Sequence, residues 1–271
     1  MDTTQYLEEM KMIQKELLCF FNETDSSQNL KDIFTKIKIH DNKYKIISFL
    51  HLFVKFSNNY HRNKNFLAKI EEILQFFEND LKHYFSNCEI FNIFKSNKRI
   101  LLFLFDQKIL VFDKYIVKQI INQKYINAKY PQYFKSEIKP FINEKWFPKN
   151  EREKDNWINE IKDEIPDEFY EKRKIGENDS YICRIIQNDL IVDFVTFVNK
   201  NNYSLKSKIT PSIYETNNYL LKNKKTTLIQ YAAFYGSIQI FNYLRMNGVR
   251  LASPLWYYAI HGKNAEIIHL L

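Results

Sequence analysis

Apolar residues recur every three or four positions through most of the first 150 residues. From Gln5 to Phe21 they are Leu7, Met10, Ile13, Leu17, Leu18 and Phe21. This spacing puts them on one side of a helix, so the pattern predicts an amphipathic helix with one buried face. Similar stretches, separated by polar turns such as residues 41–42 and 58–59, predict helices over residues 30–39, 44–56, 66–77, 81–85, 91–94, 100–105 and 115–121.

The pattern changes after this all-α region. Prolines appear at Pro131, Pro140, Pro148 and Pro166, and residues 151–180 carry 11 acidic against six basic side chains. Proline disrupts helices, and a run of charge does not build a core. We therefore predict a helical N-terminal region over residues 1–150, an acidic connector over 151–179 and a second helical region over 180–271.

Three of the four glycines of the chain, Gly236, Gly248 and Gly262, lie in its last 36 residues. Gly236 and Gly262 are 26 residues apart, and each ends a segment that begins with a hydroxyl residue, Thr227 or Ser253. Such residues cap helix N-termini, and glycine permits the left-handed turn that ends a helix. The spacing predicts two helix pairs, whose first helices begin near residues 228 and 254.

Other positions of these segments fit the same interpretation. Pro254 is predicted at the first helical position, where its missing N–H is harmless, and Leu255 follows it. Three small residues are expected to let neighbouring helices approach closely, and Gly248 is expected to end the second helix. The small residues are Ala232, Ala233 and Ala259.

These segments resemble ankyrin repeats, whose pattern is Thr-Pro-Leu-His-x-Ala-Ala, two residues, Gly, and then an apolar second helix. The match covers Ser253, Pro254, Leu255, Ala259 and Gly262 in one segment. In the other it covers Thr227, Ala232, Ala233 and Gly236. The sequence of these segments is similar to that of a large family of ankyrin proteins of parasitic protists. Members of that family pair a helical N-terminal region of unknown function with ankyrin repeats. The resemblance implies an all-α helical repeat solenoid.

The resemblance extends upstream in weaker form. Residues 180–198 match the pattern of a helix pair less closely, with Asn188 at the turn position. An insert over residues 199–225 follows them. Residues 93–109 overlay residues 233–249, with Ile100 on Ile240 and Leu104 on Leu244. The N-terminal region is therefore either a continuation of the helical stack or an independent bundle. Because the chain stops inside a second helix without a cap, we also expect further repeats after Leu271 in a longer gene product.

The implied function is a scaffold that binds a partner protein and has no catalytic role. The period is shorter than the usual value of about 33, which leaves no room for the β-hairpin fingers of ankyrin repeats. The candidate contact residues are therefore those before each turn glycine, Phe234, Tyr235, Ile260 and His261. Packing against the adjacent repeat is favoured for Phe234 and Ile260, whereas Tyr235 and His261 are expected to be exposed.

Charge offers an alternative, because residues 1–150 hold 24 Lys and Arg against 17 Asp and Glu. Such an excess attracts nucleic acid or an anionic surface. However, the lysines are dispersed and match no known nucleic-acid-binding motif, so a solvated basic surface is the favoured interpretation.

No cofactor, metal site or catalytic site is predicted. The glycines are too far apart to form a phosphate-binding loop, and the six histidines show no metal-ligand spacing. The three cysteines, Cys19, Cys88 and Cys183, are expected to be free buried thiols.

Acidic and basic residues interrupt the N-terminus, and no apolar run approaches about 20 residues. We therefore expect a soluble, intracellular protein.

Overall fold

The computed structural model describes residues 3–22, 27–59, 66–122, 128–147, 158, 161, 164–223, 225–252 and 254–271. Within these residues the chain is all-helical, as predicted, and β-structure is limited to one isolated antiparallel bridge between Lys208 and Thr227. The chain forms two compact units, Met1–Glu164 and Ile165–Leu271, here called unit 1 and unit 2. Among the described helices, none has an apolar stretch long enough to cross a lipid bilayer.

Unit 1 contains ten of the described α-helices and two short 3₁₀ helices, Ile39–Asp41 and Lys139–Phe141. Each of the eight helices predicted from periodicity is present, with ends that differ by a few residues. The α-helices are α1 Thr3–Asn22, α2 Gln28–Lys36, α3 Lys43–Asn59, α4 Phe66–Phe76, α5 Glu78–Tyr84, α6 Asn87–Phe94, α7 Lys98–Asp106, α8 Lys114–Ile120, α9 Tyr130–Tyr133 and α10 Lys135–Ile138.

Phenylalanine rings fill the centre of unit 1. Phe49 on α3 lies 4.8 Å from Phe34 and 4.9 Å from Phe77, measured between ring centroids. All three side chains are fully buried. Aromatic pairs at these distances stabilise a core beyond the area that they bury, so packing of large rings holds this unit together.

Local hydrogen bonds set several helix starts in unit 1. The Ser86 side chain accepts a hydrogen bond from the Glu89 amide, and the Glu89 carboxylate accepts one from the Ser86 amide at 2.8 Å. Asn97 and Asp113 cap α7 and α8 in the same manner, each accepting backbone N–H bonds from the first turn. These caps satisfy amide groups that no helical carbonyl can reach, which explains why α6, α7 and α8 begin where they do.

Unit 2 consists of three helix pairs preceded by one helix and interrupted by an insert. The first helices of the pairs pack in a row, α12 against α15 and α15 against α17, and the second helices form another row, α13 against α16 and α16 against α18. The helices are α11 Glu168–Ile175, α12 Tyr181–Gln187, α13 Ile191–Lys200, α14 Asn218–Lys222 in the insert, α15 Leu228–Tyr235, α16 Ile238–Met246, α17 Leu255–Gly262 and α18 Ala265–His269.

Residues 93–109 and 233–249, which overlay in sequence, also share features of backbone geometry. Helices α7 and α16 start at overlaid positions, and each is followed, two positions after its last residue, by a left-handed residue, Lys108 with φ 54° or Gly248 with φ 76°. The next amide, of Ile109 or Val249, then donates to the carbonyl five residues earlier, at 2.9 Å and 3.1 Å. This is the Schellman closure of a helix C-terminus, so the two helices end by the same geometry.

Candidate functional site

The turns between first and second helices have left-handed residues at equivalent places. These are Asp189 with φ 52°, Gly236 with φ 65° and Lys263 with φ 49°. The left-handed turn predicted at Gly236 is present, but those predicted at Asn188 and Gly262 are wrong. Asn188 has φ −99°, and Gly262 is the last residue of α17. The left-handed residues Gly236 and Lys263 are therefore one residue farther apart than Gly236 and Gly262.

Polar side chains at these turns join adjacent helix pairs. The Asp189 carboxylate accepts hydrogen bonds from the Gln239 and Ile240 amides, both at 3.0 Å, and so caps the second helix of the following pair. Asn264 donates from Nδ2 to the Gly236 carbonyl at 3.0 Å. Because these partners lie far apart in sequence, the role of the Asp189 carboxylate depends on the neighbouring pair as well as on the left-handed conformation, which Asp tolerates.

Gly262 has a different role from the one predicted, because it lies where α17 approaches the backbone of α15. A Cβ atom at this position would overlap the Ala233 carbonyl oxygen and lie 3.2 Å from the Gly236 amide nitrogen. Ala232, Ala233 and Ala259 are completely buried nearby. Small residues thus permit the close helix contact, and Gly262 is required by contact rather than by φ.

The helix starts agree with the predicted capping residues as far as they are described. Thr227 and Gln230 form a capping box on α15, in which the Thr227 amide donates to Gln230 Oε1 at 2.9 Å. Helix α17 begins at the buried Leu255, and Pro254 directly precedes it with φ −64°. Pro254 thus lies one residue before the first helical residue, whereas the sequence predicted it at the first helical position. Ser253, the predicted cap, lies outside the described residues.

The four predicted contact residues do not form one exposed surface. Phe234 is 0 % exposed and Tyr235 is 7 % exposed, so the exposure predicted for Tyr235 is wrong. Ile260 is 60 % exposed, so the packing against an adjacent repeat that was favoured for it is wrong as well. His261 is half-buried. Only Ile260 of these four presents most of its side chain at the surface.

The insert explains part of this burial. Tyr219 on α14 lies 4.4 Å from His261 and 5.0 Å from Tyr258, and it stacks on Phe234 at 5.9 Å with nearly parallel rings. The insert therefore packs against Phe234 and His261, two of the four predicted contact residues. Burial raises the pKa of Tyr219 to about 12 and lowers that of His261.

Tyr235 is buried beside polar side chains of α12 and α15. Its ring lies 4.7 Å from that of Tyr231, whose hydroxyl accepts a hydrogen bond from Gln187 Nε2 at 2.9 Å. Burial raises the pKa of Tyr231 and of Tyr235 well above the usual range, and it raises the pKa of Cys183 to about 11. These groups remain protonated at neutral pH, so Cys183 has no activated thiolate here.

An exposed aromatic face on α17 was not predicted from the sequence. Trp256 is 43 % exposed and Tyr257 is 65 % exposed, and both lie beside Ile260 at helical spacings of four and three residues. Counting back from the left-handed residues, Ile260 takes the position of Ala233 and Trp256 that of Ile229. On α15 those two positions are buried. The signal available in the sequence was the pair of adjacent large aromatic residues, Trp256 and Tyr257, within one predicted helix.

Other candidate chemistry is sparse in the described part of the chain. There, His, Cys, Asp and Glu side chains form no group of three that could hold a metal ion. The cysteines are free, but only Cys183 is buried, whereas Cys19 and Cys88 are half-buried. The prediction of buried thiols is therefore correct for one of the three.

Comparison with known proteins identifies no relative. No protein-family model matches the chain, and no curated protein and no solved structure matches it significantly.

Proposed function

We propose that this protein is a non-catalytic interaction scaffold, in which ankyrin-like helix pairs of unit 2 bind a partner protein. The observation that carries the proposal is the exposed face of Trp256, Tyr257 and Ile260 on α17. Tryptophan and tyrosine are enriched among the residues that contribute most to protein interfaces. Adjacent exposed apolar side chains on one helix mark a contact surface more strongly than single ones.

The comparison with α15 supports this assignment. Ala233 is buried where α17 packs against α15, and Ile260 occupies the equivalent position on the opposite, outer side of the row. The exposed face of α17 therefore corresponds to the face of α15 that packs against α17. Because Ile260 is bulky where α15 has Ala233 in contact with Gly262, a helix bound to this face would pack through side chains rather than by close backbone approach.

A solenoid of ankyrin-like repeats is the architecture that we propose for unit 2. It is supported by the two rows of helices, by the left-handed turns at Asp189, Gly236 and Lys263, and by the capping box at Thr227. Each pair buries its apolar face against the next, as expected of repeat proteins.

The test is capture of proteins from native lysate on the immobilised full chain, followed by their identification. The double variant Trp256→Glu/Ile260→Glu should lose the proteins that the unmodified chain retains, because two carboxylates would be buried at the contact. Val192→Glu/Met246→Glu is the matched control, since those side chains are 75 % and 80 % exposed on second helices. Equal retention by all three chains, or no retention above background, would contradict the proposal.

Binding of nucleic acid or of an anionic surface by unit 1 remains the second candidate. Exposed Lys114 and Lys118 lie 5.6 Å and 5.9 Å from the ring of Trp146, so two cations and a half-buried indole share one surface. Cations next to an aromatic ring are common in sites that bind single-stranded nucleic acid. Retention on heparin or DNA that persists at high salt and is lost in Lys114→Glu/Lys118→Glu would favour this function, whereas weak, salt-labile retention would exclude it.

A further inference from the structure

A cavity of about 310 Å³ opens where two helix pairs of unit 2 meet. Its lining comes from the start of α15, the loop after α16, the start of α17 and the insert. Ile229, Val249 and Leu255 supply apolar walls, and each is at least nine-tenths buried. The volume is near the lower limit of about 300–1,000 Å³ for ligand pockets, so it suits one or two side chains.

Two cations belong to the same cavity. Lys206 from the insert and Arg250 from the loop after α16 both line it, and both are exposed. No acidic side chain occurs among the described lining residues. The cavity therefore combines an apolar interior with positive charge, which is complementary to an apolar group that lies next to an anion.

Gly248 shows that the space is accessible. A Cβ atom placed on Gly248 would meet no other atom within 4 Å, although this residue lines the cavity. Because its φ of 76° favours glycine, the turn that forms this wall keeps a bare backbone. A bound main chain can thus pass close to the loop after α16.

We propose that this cavity binds a short peptide segment of a partner protein in which an apolar side chain is adjacent to Asp or Glu. The apolar side chain would pack against Val249 and Ala252, the apolar side chains of the lining that keep the most accessible surface, and the carboxylate would pair with Lys206 and Arg250. This inference rests on the proposed scaffold function and specifies the chemistry of the partner. It concerns a site separate from the α17 face, so the two can be tested independently.

The probe is a displayed library of random linear octapeptides selected on the full chain, with the enriched sequences then synthesised and measured by fluorescence polarisation. Enriched peptides should carry Asp or Glu next to a large apolar residue. Lys206→Glu/Arg250→Glu should weaken their binding at least about ten-fold, because like charges would then oppose each other. Ala252→Trp, which places a large side chain at an exposed lining position, should weaken it similarly.

Controls separate this site from general charge and from the α17 face. Lys200→Glu/Lys222→Glu changes two exposed lysines elsewhere in unit 2 and should leave peptide binding unchanged. Trp256→Glu/Ile260→Glu should also leave it unchanged, even where it abolishes capture of a partner. Circular dichroism should show the same helix content in every variant.

Three results would overturn the inference: no enriched peptide, enriched peptides without acidic residues, or equal loss of binding in the cavity variant and the lysine control. If peptides fail while capture through the α17 face succeeds, only this inference fails. If peptides bind the cavity but the α17 variant retains all partners, the α17 face as the basis of the scaffold proposal fails instead.

Discussion

Unit 1 and unit 2 are both all-helical, but they bring their helices together by different means. Unit 1 contains no glycine, and its centre is made of large rings such as Phe34, Phe49 and Phe77. In unit 2 the contact between α15 and α17 depends on Ala233 and Gly262, where backbone approaches backbone. Unit 1 is therefore sensitive to lost volume, and this contact in unit 2 is sensitive to added volume.

The largest effect is expected from removing a central ring of unit 1. Phe49→Ala should lower the free energy of unfolding by about 4 kcal/mol, because it removes buried area and leaves a cavity. Tyr44→Ala on the same helix is the control, since Tyr44 is 77 % exposed and its loss should change stability by less than about 0.5 kcal/mol. Urea denaturation followed by circular dichroism measures both. Similar values for the two variants would show that the ring packing does not dominate.

The next effect comes from adding one carbon atom to unit 2. Gly262→Ala should lower stability by about 3 kcal/mol, because its Cβ would overlap the Ala233 carbonyl and force the helices apart. Gly248→Ala adds the same atom where space is open, so only the left-handed backbone is penalised, by about 1 kcal/mol. Hydrogen exchange of amides in α15 and α17 should report the difference. An equal loss at both sites would contradict a contact role for Gly262.

A smaller effect is expected from exchanging the residues that end α7 and α16. Lys108→Gly should stabilise the chain by about 1 kcal/mol, because lysine at φ 54° is strained and glycine is not. Gly248→Lys should destabilise it by a similar amount at φ 76°. Thermal melting of each variant and of the double exchange gives the comparison. Equal signs for the two single changes would show that the two turns are not equivalent.

The smallest effect is the pH dependence from His261. Burial lowers its pKa below the ordinary value of 6.5, so the unfolded chain binds more protons than the folded chain once the pH falls below that value. The stability associated with His261 is therefore complete above about pH 6.5 and is lost as the pH falls toward the lower pKa of the folded state. His261→Phe keeps a ring against Tyr219 and should reduce the fall in melting temperature between about pH 7.5 and pH 5. The same change at exposed His269 is the control, and identical pH profiles for both variants would contradict this role.

Local signals accounted for much of the secondary structure. The period of apolar residues in unit 1 located its main helices, and Thr227 and Gly236 marked the start and end of α15 correctly. These features depend on residues within a few positions of each other, because caps and left-handed turns satisfy the backbone locally. Glycine was less informative at Gly262, since contact and conformation favour the same residue.

The candidate site could not be located in the same manner. Phe234 and Ile260 have similar apolar character and stand beside equivalent turns, yet one is buried under Tyr219 of the insert and the other is exposed. Which element covers a helix face depends on contacts between residues far apart in the chain. The pattern of apolar positions specifies only that a face is apolar.

The sequence by itself determined the helical class of this protein, the positions of most helices, the cap at Thr227, the left-handed turn at Gly236 and the helix end at Gly248. Each follows from short-range rules of backbone geometry and side-chain period. The tertiary structure alone decided that the insert packs against Phe234 and His261, that Gly262 permits close packing, and that Trp256, Tyr257 and Ile260 form the exposed face. The physical reason is that burial is a property of neighbours, and those neighbours are brought together only when the whole unit folds.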